Sequence, residues 1–165
     1  MSRRWSIVLA AVGLAAMTTV AIHETPASAD PGDGVALNGA YTVVSDGEWA
    51  KKNETLFYQA TVTARWILSS TCSNYQNCTG TVTSDQGWTA DLEYLSGVWY
   101  VRRTLPNWEP CPDGSAFPGE QTYYFWPDRD DRAQLTGWDK TIGPSGACGI
   151  NEWLTVKMPL RLTPV

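Results

Sequence analysis

The sequence predicts an all-β fold, an antiparallel meander of about eight strands closed as a barrel, and three observations carry that prediction. Two long stretches, 60–68 and 153–162, alternate apolar and polar residues with a period of two. The shorter β-prone runs between them are punctuated by Gly, Ser, Asp and Pro. Sustained helical periodicity is absent after residue 29. Successive side chains on a strand point to opposite faces, so a period of two marks a sheet with one buried face. A β-sandwich is the alternative closure of the same strands.

The chain opens on a processing segment. Arg3 and Arg4 supply a positive start, residues 7–22 are apolar or small apart from Thr18 and Thr19, and Ala27-Ser28-Ala29 has the small-x-small form of a signal-peptidase site. Residues 1–29 are therefore expected to be a signal peptide. The uncharged run 5–22 is just long enough to span a bilayer, but the cleavage pattern favours removal. The arginine pair also suits twin-arginine export. Ser6 stands where that signal usually has a bulky apolar residue, so general secretion is expected. No later run could cross a bilayer. The mature chain is expected to be secreted or held in the cell envelope, with residues 30–39 a flexible lead-in and residues 40–165 a single β domain.

Strands are expected at 40–45, 60–72, 79–84, 88–95, 98–105, 121–126, 133–141 and 153–162. In the second, Ala60, Val62, Ala64, Trp66 and Leu68 share one face, and Cys72 has the same parity. Asp85-Gln86-Gly87 and Ser96-Gly97 are short enough to be hairpin turns. In the last, Leu154, Val156, Met158, Leu160 and Leu162 face one way. Pro159 cannot donate to a ladder, so it is expected at a seam of the barrel. Residues 50–54 could hold one helical turn. Thr42-Val43-Val44-Ser45-Asp46-Gly47-Glu48-Trp49 matches Thr81-Val82-Thr83-Ser84-Asp85-Gln86-Gly87-Trp88 at five of eight positions. Shared turn chemistry accounts for that echo without an internal repeat.

Four cysteines, Cys72, Cys78, Cys111 and Cys148, in an exported chain read as a disulfide framework. Three pairings are possible. Proximity across a turn favours Cys72–Cys78, with Cys111–Cys148 the remainder. A four-cysteine zinc site usually needs two close pairs, which the wide spacing of Cys111 and Cys148 does not offer. Beyond residue 29 the chain carries ten basic and sixteen acidic side chains, with no basic cluster. Nucleic acid and anionic membrane surfaces are poor partners for such a chain. The sole histidine is His23, inside the signal segment. Histidine triads, imidazole proton shuttles and histidine metal ligation are thereby excluded from the mature chain. No cofactor is implied.

Residues 106–120 hold four prolines and read as a long irregular loop, the kind that often carries function. Trp108, Glu109 and Phe117 in it are the candidate ligand-binding residues. Trp108 and Phe117 either present apolar faces to a ligand or plug one end of the barrel. Eight tryptophans remain after the signal; most are expected in the core and at most two or three exposed, Trp108 first. Carboxylates such as Glu109, Asp113, Asp91, Glu93 and Glu152 are the plausible acid–base groups, but no catalytic residue is assigned, because a glycosidase-type pair is defined by separation and not by sequence. Asp128-Arg129-Asp130-Asp131-Arg132 lacks the spacing of a calcium loop and reads as a solvated turn with internal ion pairs. Asn53-Glu54-Thr55 and Asn77-Cys78-Thr79 fit the N-glycosylation pattern, which matters only in a eukaryotic secretory route.

The run Trp66-Ile67-Leu68-Ser69-Ser70-Thr71-Cys72, then Cys78-Thr79-Gly80, Val82-Thr83-Ser84-Asp85 and Gly87-Trp88, resembles small exported proteins of mycobacteria and related actinobacteria. So do Pro106-Asn107-Trp108-Glu109-Pro110-Cys111-Pro112-Asp113-Gly114, Ala147-Cys148-Gly149 and Pro159-Leu160-Arg161-Leu162-Thr163. The resemblance covers about residues 41–165 and implies export to the envelope or medium. It brings no activity and no functional residues. The expected role is a monomeric, non-enzymatic binding or envelope-interaction protein, holding a small apolar or amphiphilic ligand in the barrel. Recognition of a polysaccharide or protein through exposed Trp108, and a carboxylate hydrolase built on Glu109, are the alternatives.

Overall fold

The computed structural model describes residues 34–165, so the expected signal peptide lies outside the described residues. Ten strands follow in chain order: β1 Gly39–Ser45, β2 Lys51–Lys52, β3 Thr55–Leu56, β4 Val62–Asn74, β5 Asn77–Ser84, β6 Trp88–Leu95, β7 Val98–Pro110, β8 Ala116–Pro127, β9 Leu135–Ile142 and β10 Thr155–Pro164. Eight of them, β1 and β4 to β10, pair antiparallel with their neighbours, and β1 pairs with β10 to close the barrel. No α-helix occurs among the described residues. Closure leaves no long open edge.

The expected central strand is β4. Ala64, Trp66, Leu68, Ser70 and Cys72 are buried while the residues between them are exposed. Ile67, the apolar exception on the other parity, faces solvent. Trp66 meets Tyr123 edge to face at 4.8 Å and Trp88 at 5.3 Å. With Leu68, Val82, Leu92, Trp99, Phe125 and Leu162 it fills one half of the interior. The hairpins expected at Asp85–Gly87 and Ser96–Gly97 both form. Ser96 and Gly97 take φ of 48° and 100°, the left-handed pair that a two-residue hairpin needs.

Both disulfides form as expected, Cys72–Cys78 and Cys111–Cys148. Cys72 faces Cys78 in the β4–β5 ladder at one end of the barrel. Cys111–Cys148 lies at the other end, where it ties the β7–β8 turn to a single 3-10 turn, Ala147–Gly149. Under the Cys72 end the chain entering β1 is fixed by Ser70. The Ser70 hydroxyl accepts from the Leu37 N–H at 2.8 Å and donates to the Leu37 carbonyl at 2.9 Å. Val35, Ala36 and Leu37 pack against the core there and border a second cavity of about 380 Å³ with Tyr94, Trp99 and Leu135.

Three local readings are revised. Residues 106–120 are not an irregular loop: β7 runs on to Pro110, β8 begins at Ala116, and only the turn 111–115 lies outside the strands. Leu105 pairs with Gly119 and Glu109 with Phe117, so 106–108 bulge opposite Pro118 alone. Pro106 and Pro118 sit within that irregularity, where the ladder requires no N–H from them. The helical turn expected at 50–54 is a 3-10 turn at Gly47–Trp49, capped by the Asp46 carboxylate accepting from Glu48 N–H; β2 and β3 follow as a small hairpin laid on β10. The 128–132 turn is held by carboxylates accepting backbone N–H bonds, Asp128 from Asp130 and Asp131 from Ala133, not by ion pairs with its arginines. Pro159 does stand at a discontinuity. On one side of β10, β1 pairs with Leu160 onward and β2 with Val156 and Lys157, and the Pro159 carbonyl accepts from Asp46 N–H between them.

Candidate functional site

The half of the barrel toward Cys111–Cys148 is not filled. Its interior holds a cavity of about 370 Å³ that opens at that end. The wall is apolar: Val62 from β4, Leu105 and Trp108 from β7, and Val156 and Met158 from β10, with Leu154 just before β10. The rim comes from the segment between β1 and β4, with Lys52, Phe57, Gln59 and Ala60. That segment also exposes Trp49, Leu56, Phe57 and Tyr58, an apolar fringe near the opening. The floor is polar, formed by Gln121, Asp139 and Thr141.

The floor rests on consecutive strands whose inward positions turn from apolar to polar. Inward residues run Trp99, Val101, Arg103, Leu105 on β7, Tyr123, Gln121, Gly119 on β8, and Leu135, Gly137, Asp139, Thr141 on β9. Asp139 is 3% exposed. Its Oδ2 accepts from the Ser45 hydroxyl at 2.9 Å and its Oδ1 from the Gln121 amide at 2.8 Å. Gln121 Oε1 in turn accepts from Arg103 Nε at 2.9 Å, and the Arg103 guanidinium lies 4.4 Å over the Trp88 ring. Burial pushes the Asp139 carboxyl above its ordinary value, against the opposing pull of the two hydrogen bonds and of Arg103. Burial and the neighbouring Asp139 raise the Tyr123 phenol as well. The site is a buried acid with its guanidinium one amide away, beneath an apolar shaft.

The sequence-derived candidates fall unequally around this cavity. Trp108 is half-buried and lines it. Its ring lies against Gly119, where an added Cβ would come within 2.7 Å of two ring atoms. Glu109 is half-buried beside it on a separate cleft of about 230 Å³ with Glu152 and Trp153, and its Oε2 is buried without a hydrogen-bond partner. Phe117 stands opposite Glu109 in the β7–β8 ladder and does not line the cavity. Among the described residues two tryptophans are exposed, Trp49 at 62% and Trp153 at 63%, rather than Trp108. Trp153 borders an outer groove of about 440 Å³ with Pro118, Ile142 and Pro144. The floor residues Gln121, Asp139 and Thr141, and Ser45 and Arg103 bonded behind them, are not marked in the sequence. Their signal is a polar side chain on the inward parity of a strand, visible only once the parity of each strand is fixed. Among the described residues no group of three or more acidic, His or Cys side chains is placed to hold a metal.

No protein-family model matches the chain, and no curated protein matches it. A solved structure does: the sensor domain of PknI from M. tuberculosis, in its monomer form, aligns with a TM-score of 0.58 at 14% identity. The alignment covers 79% of this chain and 88% of the PknI sensor domain. The two share a fold, and the likeness to PknI extends over most of the barrel. Two disulfides place this chain among domains that fold in oxidising surroundings. No helix among the described residues is long and apolar enough to cross a membrane.

Proposed function

We propose that this protein is a non-catalytic binding protein, secreted or exposed at the cell envelope, that holds one small amphiphilic molecule in the open half of its barrel. The observation that carries the reading is the uneven interior: tightly packed around Trp66, and open over about 370 Å³ between apolar walls and a polar floor. That volume lies within the roughly 300–1,000 Å³ of small-molecule sites, and a barrel of about eight strands is wide enough for one such ligand. Trp108 and the rim residue Phe57 supply apolar contact; Gln121 and Asp139 supply the few polar groups that fix orientation. The PknI neighbour is named a sensor domain, which supports recognition rather than turnover as the use of this fold.

The test uses N-phenyl-1-naphthylamine, a small apolar dye that brightens when shielded from water. Saturable one-to-one binding is expected in the native protein, with quenching of tryptophan emission through Trp108. Val156→Trp, which fills the shaft, should abolish it. Undiminished binding by the filled variant would place the dye elsewhere and defeat the reading.

A further inference from the structure

We infer that the floor of this cavity is a subsite for a protonated amine, so that the ligand is an amphiphile entering amine first. The inference rests on the reading of the barrel as an amphiphile holder and adds the chemistry and orientation of the head group.

Asp139 carries it. An ionised carboxylate offers about four acceptor positions, and two are used, one by Ser45 and one by Gln121. The carboxyl is buried yet lines the open shaft. Within the protein its compensation is indirect. Arg103 reaches Gln121, not Asp139, and its guanidinium is engaged with Trp88. An ammonium group at the floor would supply both a direct counter-ion and donors for the free acceptor positions. Such charge-assisted bonds are about twice as strong as neutral ones and are weakly screened when buried.

The other cation near the cavity argues for the same orientation. Lys52 is exposed at the rim, with its ammonium 5.4 Å from the Phe57 ring. It could hold an anionic head at the opening. The alkyl tail would then lie against the polar side chains of Asp139, Gln121 and Thr141 and bury them under hydrocarbon, an unfavourable contact. Amine first, the tail runs along Leu105, Val156 and Met158 toward Phe57, apolar throughout.

Three probes of equal chain length decide it: n-octylamine, 1-octanol and n-octanoate, each titrated calorimetrically against the native protein in 0.15 M salt. Octylamine is expected to bind at least about tenfold more tightly than octanol, with octanoate weakest. In Asp139→Asn the advantage of the amine over the alcohol should fall to within about twofold while octanol binding persists. Octanol binding equal to octylamine, or octanoate binding most tightly, overturns the amine subsite and leaves the amphiphile reading standing. Retention of the full amine advantage in folded Asp139→Asn overturns it too. Binding of none of the three defeats both. Should Asp139→Asn fail to fold, the order of the three probes on the native protein decides alone.

Discussion

Asp139 sets the behaviour expected at the residue scale. Its carboxyl titrates above its ordinary value of 3.8 in the folded chain, because burial disfavours the charge. The folded state thus holds this proton more tightly than the unfolded state. The stability it contributes is fully present below the ordinary value and is lost as pH rises through the folded value. Asp139→Asn cannot ionise there. The stability of the native protein minus that of Asp139→Asn should therefore decline as pH rises from about 4, the ordinary carboxylate range. Thermal melts of both proteins across that range check it; parallel curves would show that Asp139 ionises in the fold as freely as in water. Asp128 belongs to the opposite class. Its carboxylate accepts N–H bonds from Asp130 and Asp131 and titrates below its ordinary value, so its contribution is present above that value and fades on acidification.

The β7–β8 hairpin, as an element, shows what a sequence exposes and what it hides. Trp108 stands out in the sequence as an aromatic residue among prolines, and its ring lies on the cavity wall. The same prolines concealed the strands. A proline marks a break in any local reading, and only the ladder reveals that Pro106 and Pro118 share one irregularity. Asp139 is hidden for a related reason: its strand is weakly patterned in sequence, and only the fold shows that it shares the inward parity of Leu135 and Gly137. The alternation of β4 and β10, by contrast, was legible because each carries a run of large apolar residues on one parity. Gly119 gives this element its test. A Cβ there would lie 2.7 Å from the Trp108 ring and from Thr141 Cγ2, so Gly119→Ala must unseat the ring. Overpacking of this kind costs about 1–3 kcal/mol. A red shift of tryptophan emission should accompany that loss; an unshifted spectrum with native stability would mean that the ring has another seat.

On the scale of the whole molecule, the barrel is pinned at both ends by unequal staples. Cys72 and Cys78 are 6 residues apart, Cys111 and Cys148 are 37 apart. Chain-entropy reasoning assigns roughly 2 kcal/mol to the short loop and about 4 kcal/mol to the long one. Replacing Cys111 and Cys148 together with serine should lower the urea midpoint more than replacing Cys72 and Cys78. The reverse order would show that native-state contacts around the short bridge outweigh the loop term. The pairing itself could be anticipated from spacing, and so could the all-β class. The half-empty interior could not, since it depends on which residues stand opposite one another across the barrel.

The chain enters and leaves the barrel on the same side. Gly34 lies beside Trp99 and Tyr94 at the Cys72–Cys78 end, and Val165 N–H donates to the Ala40 carbonyl there, while the cavity beside Trp108 lies at the far pole. Anything joined after Val165, whether an affinity tag, a surface linker or a fused domain, would therefore hang from the base like a stem beneath a cup. Immobilised through its C-terminal end, the protein would present its mouth outward to whatever diffuses past.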